Sequence, residues 1–304
     1  MTSGLRVQGQ FFCAISLALV VASLAGLRAN AGDELLAVGA LVLLLGVPHG
    51  SLDVVVARRL WNLSGTGAWV VFAVRYLGLA VLVVGLWWVA PTLFLGAFLG
   101  FSALHFGADP AAGVSWPTRV LYGGTVVVLP ALRHGAELQQ LMGLVAGPAS
   151  AAVVVPTLCL LAAPWLGAIG LACAWEVRTS WLAAAELAAL AAVSVTAPPL
   201  VAFTLYFCAM HSPRHILRTI SARQGIDVRH ALAMALWPTL AVFAMAVLAG
   251  LLASAIPLEK RLLQLLFVGL AALTLPHMVL LERARRARPT AIPEPCSAQP
   301  SQSP

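Results

Sequence analysis

Charge is what this sequence has least of. Asp, Glu, Lys and Arg make up 10% of its 304 residues, against about 25% in a soluble domain. That shortage excludes an ordinary water-soluble enzyme. Cysteine is scarce too: Cys13, Cys159, Cys173, Cys208 and Cys296 are odd in number and mostly sit inside apolar runs. They form no C-x-x-C pair and no disulfide framework, and read as small buried hydrophobes. There is no phosphate-binding loop, no dinucleotide-binding fingerprint and no nucleophile elbow. The alternating pattern of barrel strands is missing, which excludes a membrane β-barrel.

What fills the chain is hydrocarbon. Hydrophobic residues account for 61% of it, in runs that repeatedly reach the roughly 17–25 residues needed to cross a bilayer. Lipid offers backbone groups no partner, so such runs must satisfy their own hydrogen bonds as helices. The expected fold class is all-α, a polytopic integral membrane helical bundle with about eight to ten transmembrane helices. Candidate helices fall at 11–27, 35–57, 69–90, 92–107, 117–132, 151–174, 181–196, 199–217, 231–255 and 261–281. Residues 1–288 form a single transmembrane domain in this reading. The Pro-, Ser- and Gln-rich stretch 289–304 is a disordered cytoplasmic tail.

The net charge of +7 suggests topology rather than nucleic acid, because the basic residues sit in short loops and at the tail. With the N-terminus inside, cytoplasmic segments hold Arg58, Arg59, Arg178, Arg218, Arg223, Arg229, Arg283, Arg285, Arg286 and Arg288. Outer loops hold Arg28, Arg133, Lys260 and Arg261 beside the acidic Asp33, Glu34, Glu137 and Glu259. The bias places both termini in the cytoplasm of a multi-pass protein of the cell (inner) membrane. Ala29-Asn30-Ala31 imitates a signal-peptide cleavage site, but Arg28 intervenes, and the first helix reads as uncleaved.

Against this background five of the seven histidines, His49, His105, His211, His215 and His277, lie inside apolar segments. An ionisable group there is a functional-site hypothesis, and neutral imidazole is the commonest ligand of Fe, Zn and Cu. All five fall toward the C-terminal ends of even-numbered helices, hence in one leaflet, where they can converge on a metal. His134 falls on the opposite side, and His230 starts a helix beside Arg229 and Asp227, so neither belongs to the group.

His211 and His215 are four apart and share a helix face; Arg214 between them points elsewhere, toward the interface with Arg218. The plainer alternative is a pair of interfacial histidines. His49 and His105 are each followed four residues later by a carboxylate, Asp53 and Asp109. A carboxylate one turn away can orient an imidazole from outside the metal shell, become a ligand itself, or merely pair with an arginine such as Arg58 or Arg214. His277 follows Pro276, which kinks the helix, and is an additional ligand, an outer group or a pocket wall. Phe106, Tyr206 and Phe207 either line an apolar tunnel or simply pack.

The motifs G-x-P-H-G-x-x-D (46–53), S-x-x-H-F-G-x-D (102–109), H-S-x-R-H (211–215) and L-P-H-M (275–278), in that order, resemble the Brp/Blh family. These are membrane β-carotene dioxygenases, related to proteins that supply retinal to microbial rhodopsins. The resemblance covers residues 46–278; the stretch 136–186 carries no matching motif. It implies non-haem Fe(2+) and O2-dependent cleavage of β-carotene at its central 15,15' double bond, giving two all-trans-retinal molecules. The family's four iron-binding histidines correspond to His49, His105, His211 and His215. The implied partners are the carotenoid, O2, the lipid bilayer and a retinal-binding rhodopsin downstream, with no nucleic acid. Two other readings compete: a di-iron membrane desaturase or hydroxylase, which needs denser histidine boxes, and a metal or proton transporter, which needs polar groups spread through membrane depth.

Overall fold

The computed structural model describes residues 3–111, 113–221 and 228–287. In chain order it contains α1 (Ser3–Leu24), α2 (Ala31–Leu41), a π-helical turn (Val42–Gly46), α3 (Val47–Ser51), α4 (Asp53–Trp61), α5 (Gly65–Val89), α6 (Pro91–Phe106), α7 (Trp116–Val128) and α8 (Ala131–Ala146). There follow α9 (Pro148–Glu176), α10 (Trp181–Thr196), α11 (Pro199–Leu205), a second π-helical turn (Tyr206–His211), α12 (Ser212–Ser221), α13 (Val228–Leu252) and α14 (Leu258–Arg286). The described residues contain no strand. The stretch 289–304, expected to be a disordered tail, lies outside them.

The protein is a polytopic helical bundle. Six segments are long and apolar enough to cross a membrane: α1, Gly32–Trp61, α5, α9, α13 and α14. The helices α6 and α10 are apolar but shorter. Large apolar side chains face outward, among them Leu160, Leu171, Trp88 and Val89, while Arg214, Glu186, Asp53 and Asp109 are buried. That arrangement is inverted for water and suits lipid.

Packing pairs α1 with α10, α5 with α14, α6 with α7 and α8 with α9. Helix α8 is a departure from the sequence reading, which leaves most of it as outer loop. Glu137, Gln139 and Gln140 break its apolar run, yet Leu138, Val145 and Ala146 are buried on one side, the pattern of a half-wetted helix.

Pro48 and Pro276 directly precede His49 and His277, Pro213 lies between His211 and His215, and each removes an N–H from the helical ladder. Pro213 has no N–H for the Ala209 carbonyl one turn earlier; Gln8 Nε2 on α1 donates to that oxygen at 2.8 Å. Ser212 Oγ donates to the Leu45 carbonyl beside the first π turn at 2.6 Å. The two π turns are thereby tied together. Such turns occur mostly at functional sites.

Close packing of α6 on α7 depends on Gly123. A Cβ there would lie 1.9 Å from the Ala103 carbonyl oxygen and 2.5 Å from the Gly107 nitrogen, both backbone atoms that cannot swing aside. Gly123→Ala is expected to destabilise the fold by about 1–3 kcal/mol, the usual cost of overpacking. A lowered thermal midpoint in detergent checks this; an unchanged midpoint contradicts it.

Candidate metal centre

Four segments bring the five histidines to one end of the bundle. His49 comes from α3, His105 from the last turn of α6, His211 and His215 from the second π turn and α12, and His277 from α14. The ring centroids of His49 and His211 lie 5.0 Å apart, those of His105 and His211 4.7 Å. His277 stands 5.5 Å from His49, 5.2 Å from His105 and 5.0 Å from His215. His215 is 5.4 Å from His49. The donor atoms of His49, His105 and His277 lie within 4.8 Å of one another. His134 instead contacts Glu137 at 3.3 Å, and His230 meets Arg58 at 3.3 Å; both stand outside the cluster.

Each anchored ring is held by one nitrogen. His49 Nδ1 donates to the Gly46 carbonyl, His211 Nδ1 to Asp109 Oδ2 at 2.9 Å, and His277 Nδ1 to Asp53 Oδ1 at 2.7 Å. The opposite nitrogens of His211 and His277, Nε2 in each, are buried without a hydrogen-bond partner, as is Nδ1 of His215. Buried polar atoms are normally paired, so several orphaned imidazole nitrogens within one cluster of rings suggest a ligand set. Two nitrogens bound to one ion at about 2.1 Å each stand no more than about 4.2 Å apart. A small side-chain adjustment brings the closest trio within that limit, and the residues therefore fit a nitrogen-ligated metal.

The carboxylates do not serve the histidines that the sequence spacing assigns to them. Asp53 pairs with His277 rather than His49, and Asp109 with His211 rather than His105. The reason is local. The helix breaks between Ser51 and Asp53, and α6 ends at Phe106 before Asp109, so neither pair shares a continuous turn. Each carboxylate has a tyrosine behind it. Tyr76 OH donates to Asp53 Oδ2 at 2.9 Å, and Tyr206 OH donates to Asp109 Oδ2. Tyr206 is thus a buried support rather than a tunnel wall.

Arg214 does not face the interface as expected. It is 1% exposed and grips Glu186 on α10 with two hydrogen bonds of 2.7 and 2.8 Å. Its Nε donates to Gln8 Oε1 at 2.8 Å. A Cβ at Gly9 would sit 2.0 Å from Glu186 Oε1, so α1 closes on this pair through a glycine. Arg218 holds the loop bearing Asp109 by its carbonyls, at 2.7 Å from Ala108 and 2.6 Å from Asp109. Sequence reading missed Tyr76, Glu186 and Gln8. Glu186 alone left a signal, as a carboxylate within an apolar helix.

Residues 40–283 match the family described as beta-carotene 15,15'-dioxygenase. The chain belongs to this family. It is similar to a beta-carotene 15,15'-dioxygenase of the uncultured marine bacterium 66A03, 31% identical over 261 residues, covering 80% of this chain and 91% of that protein. It is also similar to the probable beta-carotene 15,15'-dioxygenase Blh of Halobacterium salinarum, 27% identical over 324 aligned positions, covering 87% of this chain and 90% of the relative. No solved structure matches the chain. The span matched to the beta-carotene 15,15'-dioxygenase family holds all five clustered histidines with Asp53 and Asp109, but not α1.

Asp109→Asn keeps the side chain's size while removing the negative acceptor for His211. The expected outcome is a folded protein with about 10–100-fold weaker metal binding, the usual cost of losing such an outer partner. Metal content after dialysis checks it; retention equal to that of the parent chain would leave Asp109 a boundary group only.

Proposed function

We propose that this chain is a membrane-embedded, iron-dependent dioxygenase that cleaves β-carotene at its central double bond with O2, giving two all-trans-retinal molecules. The observation that carries the reading is the convergence of five imidazoles beside an apolar cavity, in a chain whose named relatives are beta-carotene 15,15'-dioxygenases. The ligand set inferred from the family resemblance is His49, His105, His211 and His215. An all-imidazole set suits Fe, Cu or Zn; Zn has no redox chemistry, and oxygen incorporation requires a redox-active metal. Iron(II) held there supplies the means of activating O2.

The chain's own groups do the rest. Asp109 and Tyr206 fix the tautomer and aim of His211, as Asp53 and Tyr76 do for His277. The cavity lies between α6, α7, α8, α11 and α14 and has a volume of about 100 Å³. Among its lining residues Ser102 is the one polar side chain. Phe106 and Phe203 carry its wall to the site: the Phe106 ring lies 5.0 Å from His211, and Phe203 stacks on Phe207, which stacks on His211 at 5.4 Å. From Leu95 to Phe106 the wall follows α6 for roughly 16 Å of helix rise. This apolar cavity lies one aromatic ring from the histidines, so a polyene in it would be oriented by shape and kept from water.

We further place the chain in the inner membrane with both termini cytoplasmic, as a single transmembrane domain over residues 1–288. The retinal it releases suits a retinal-binding rhodopsin as acceptor.

Expression in a β-carotene-accumulating bacterium should bleach the cells and yield retinal. With 18O2, and trapping by rapid reduction to retinol, both product halves should carry one labelled oxygen. Persistent colour in cells holding the folded, iron-loaded protein would sink the reading, as would label in only one half. Leu99→Trp, which fills the cavity away from the histidines, should lower carotenoid turnover about tenfold or more at unchanged iron content. Turnover equal to that of the parent chain would place the substrate elsewhere.

A further inference from the structure

The family resemblance gives four of the clustered histidines a role and leaves His277 without one. Its surroundings are nevertheless those of a ligand. His277 and Asp53 are both buried, at 3% exposure each, and the Nδ1–Oδ1 bond of 2.7 Å joins α14 to α4. Because Nδ1 carries the proton given to Asp53, Nε2 presents its lone pair. That atom is buried with no donor to meet it. A histidine serving only to brace two helices has no reason to leave an unpaired acceptor among the rings of His49, His105 and His215, since a buried acceptor without a donor is unfavourable. His277 also belongs to the tightest trio of donor atoms, with His49 and His105. Neither His211 nor His215 is part of that trio.

We propose that His277 is a fifth imidazole ligand of the metal centre, positioned by Asp53 and Tyr76. This rests on the reading of the histidine cluster as a metal site. A six-coordinate ion with five protein nitrogens keeps one exchangeable position, where four nitrogens would leave two. O2 would then take the single open place, and the hydrocarbon would be positioned by the cavity walls alone.

Cobalt(II), whose visible bands strengthen as coordination number falls, is the probe. The purified full-length protein is stripped of metal and titrated with Co(II) alone, beside His277→Gly, His277→Gly with added imidazole, and Asp53→Asn. Loss of a ligand predicts that His277→Gly binds Co(II) at least about tenfold more weakly, no less than the cost of losing an outer partner, with stronger visible bands. Free imidazole entering the vacated space should return both spectrum and affinity toward the parent values, which a bracing role would not do. A folded His277→Gly with parental affinity and spectrum overturns the proposal, and so does a spectrum that imidazole leaves unchanged. Should His277→Gly fail to fold, Asp53→Asn decides. A loss of about 10–100-fold in Co(II) affinity supports the assignment, and unchanged affinity overturns it. If the parent chain takes up neither Co(II) nor Fe(II), the metal-centre reading falls and this one with it; if it binds metal and the variants match it, only the fifth ligand is lost.

Discussion

Five imidazoles gathered inside an apolar bundle impose the constraint on which the surrounding polar structure depends. A ring there needs a partner for its N–H, because a desolvated polar atom without one is costly. The protein supplies a backbone carbonyl to His49 and carboxylates to His211 and His277. Each carboxylate is itself a buried charge that needs donors, and Tyr206 and Tyr76 provide them. The demand then passes outward. Asp109 sits on a loop whose carbonyls are taken up by Arg218 and Arg214, and the charge of Arg214 is met by Glu186. Polar groups that would be misplaced singly in lipid form a connected set around one site.

The backbone obeys the same rule. Prolines at 48, 213 and 276 stand beside histidines and remove N–H groups from their helices. In water the stranded carbonyls would simply be hydrated. Here the Ala209 carbonyl left by Pro213 is answered by Gln8 of α1, while Ser212 Oγ separately bonds the Leu45 carbonyl of the first π turn. The first helix, which carries none of the clustered histidines, is thereby made part of the scaffold around the second π turn. Gly9 lets it come close enough, since any side chain there would strike Glu186.

The helical bundle and the convergence of His49, His105, His211, His215 and His277 were legible in the sequence, because both follow from periodicity and burial that lipid enforces along the chain. The partners of Asp53 and Asp109 were not. An i,i+4 spacing identifies a shared face only within an unbroken helix, and both pairs straddle a helix end. Tyr76 was equally hidden, because its role depends on the approach of α5 to α4 and α14, a tertiary fact without a local pattern. Arg214 misled for a related reason. An arginine near a helix end reads as interfacial unless its distant partner is known, and Glu186 is 28 residues away in sequence.

The shape of the apolar space separates the proposed chemistry from its two rivals. A transporter needs polar groups distributed through membrane depth to pass an ion from one to the next. The histidines here are clustered, and the cavity beyond Phe106 and Phe203 offers an ion only the hydroxyl of Ser102. A di-iron desaturase needs ligands for two metals, and the described residues hold one compact donor group in which His49, His105 and His277 are the closest members. In the proposed reading, a single metal beside an apolar cavity suits a substrate that is apolar along its whole length and reactive at an interior bond. Such a substrate offers no polar group by which to be recognised, so selectivity must come from where the cavity lies relative to the metal. In the proposed reading, Phe106, Phe203 and Phe207, which stand between the cavity and His211 and His49, are therefore the side chains whose size would set which bond of a polyene is placed at the metal.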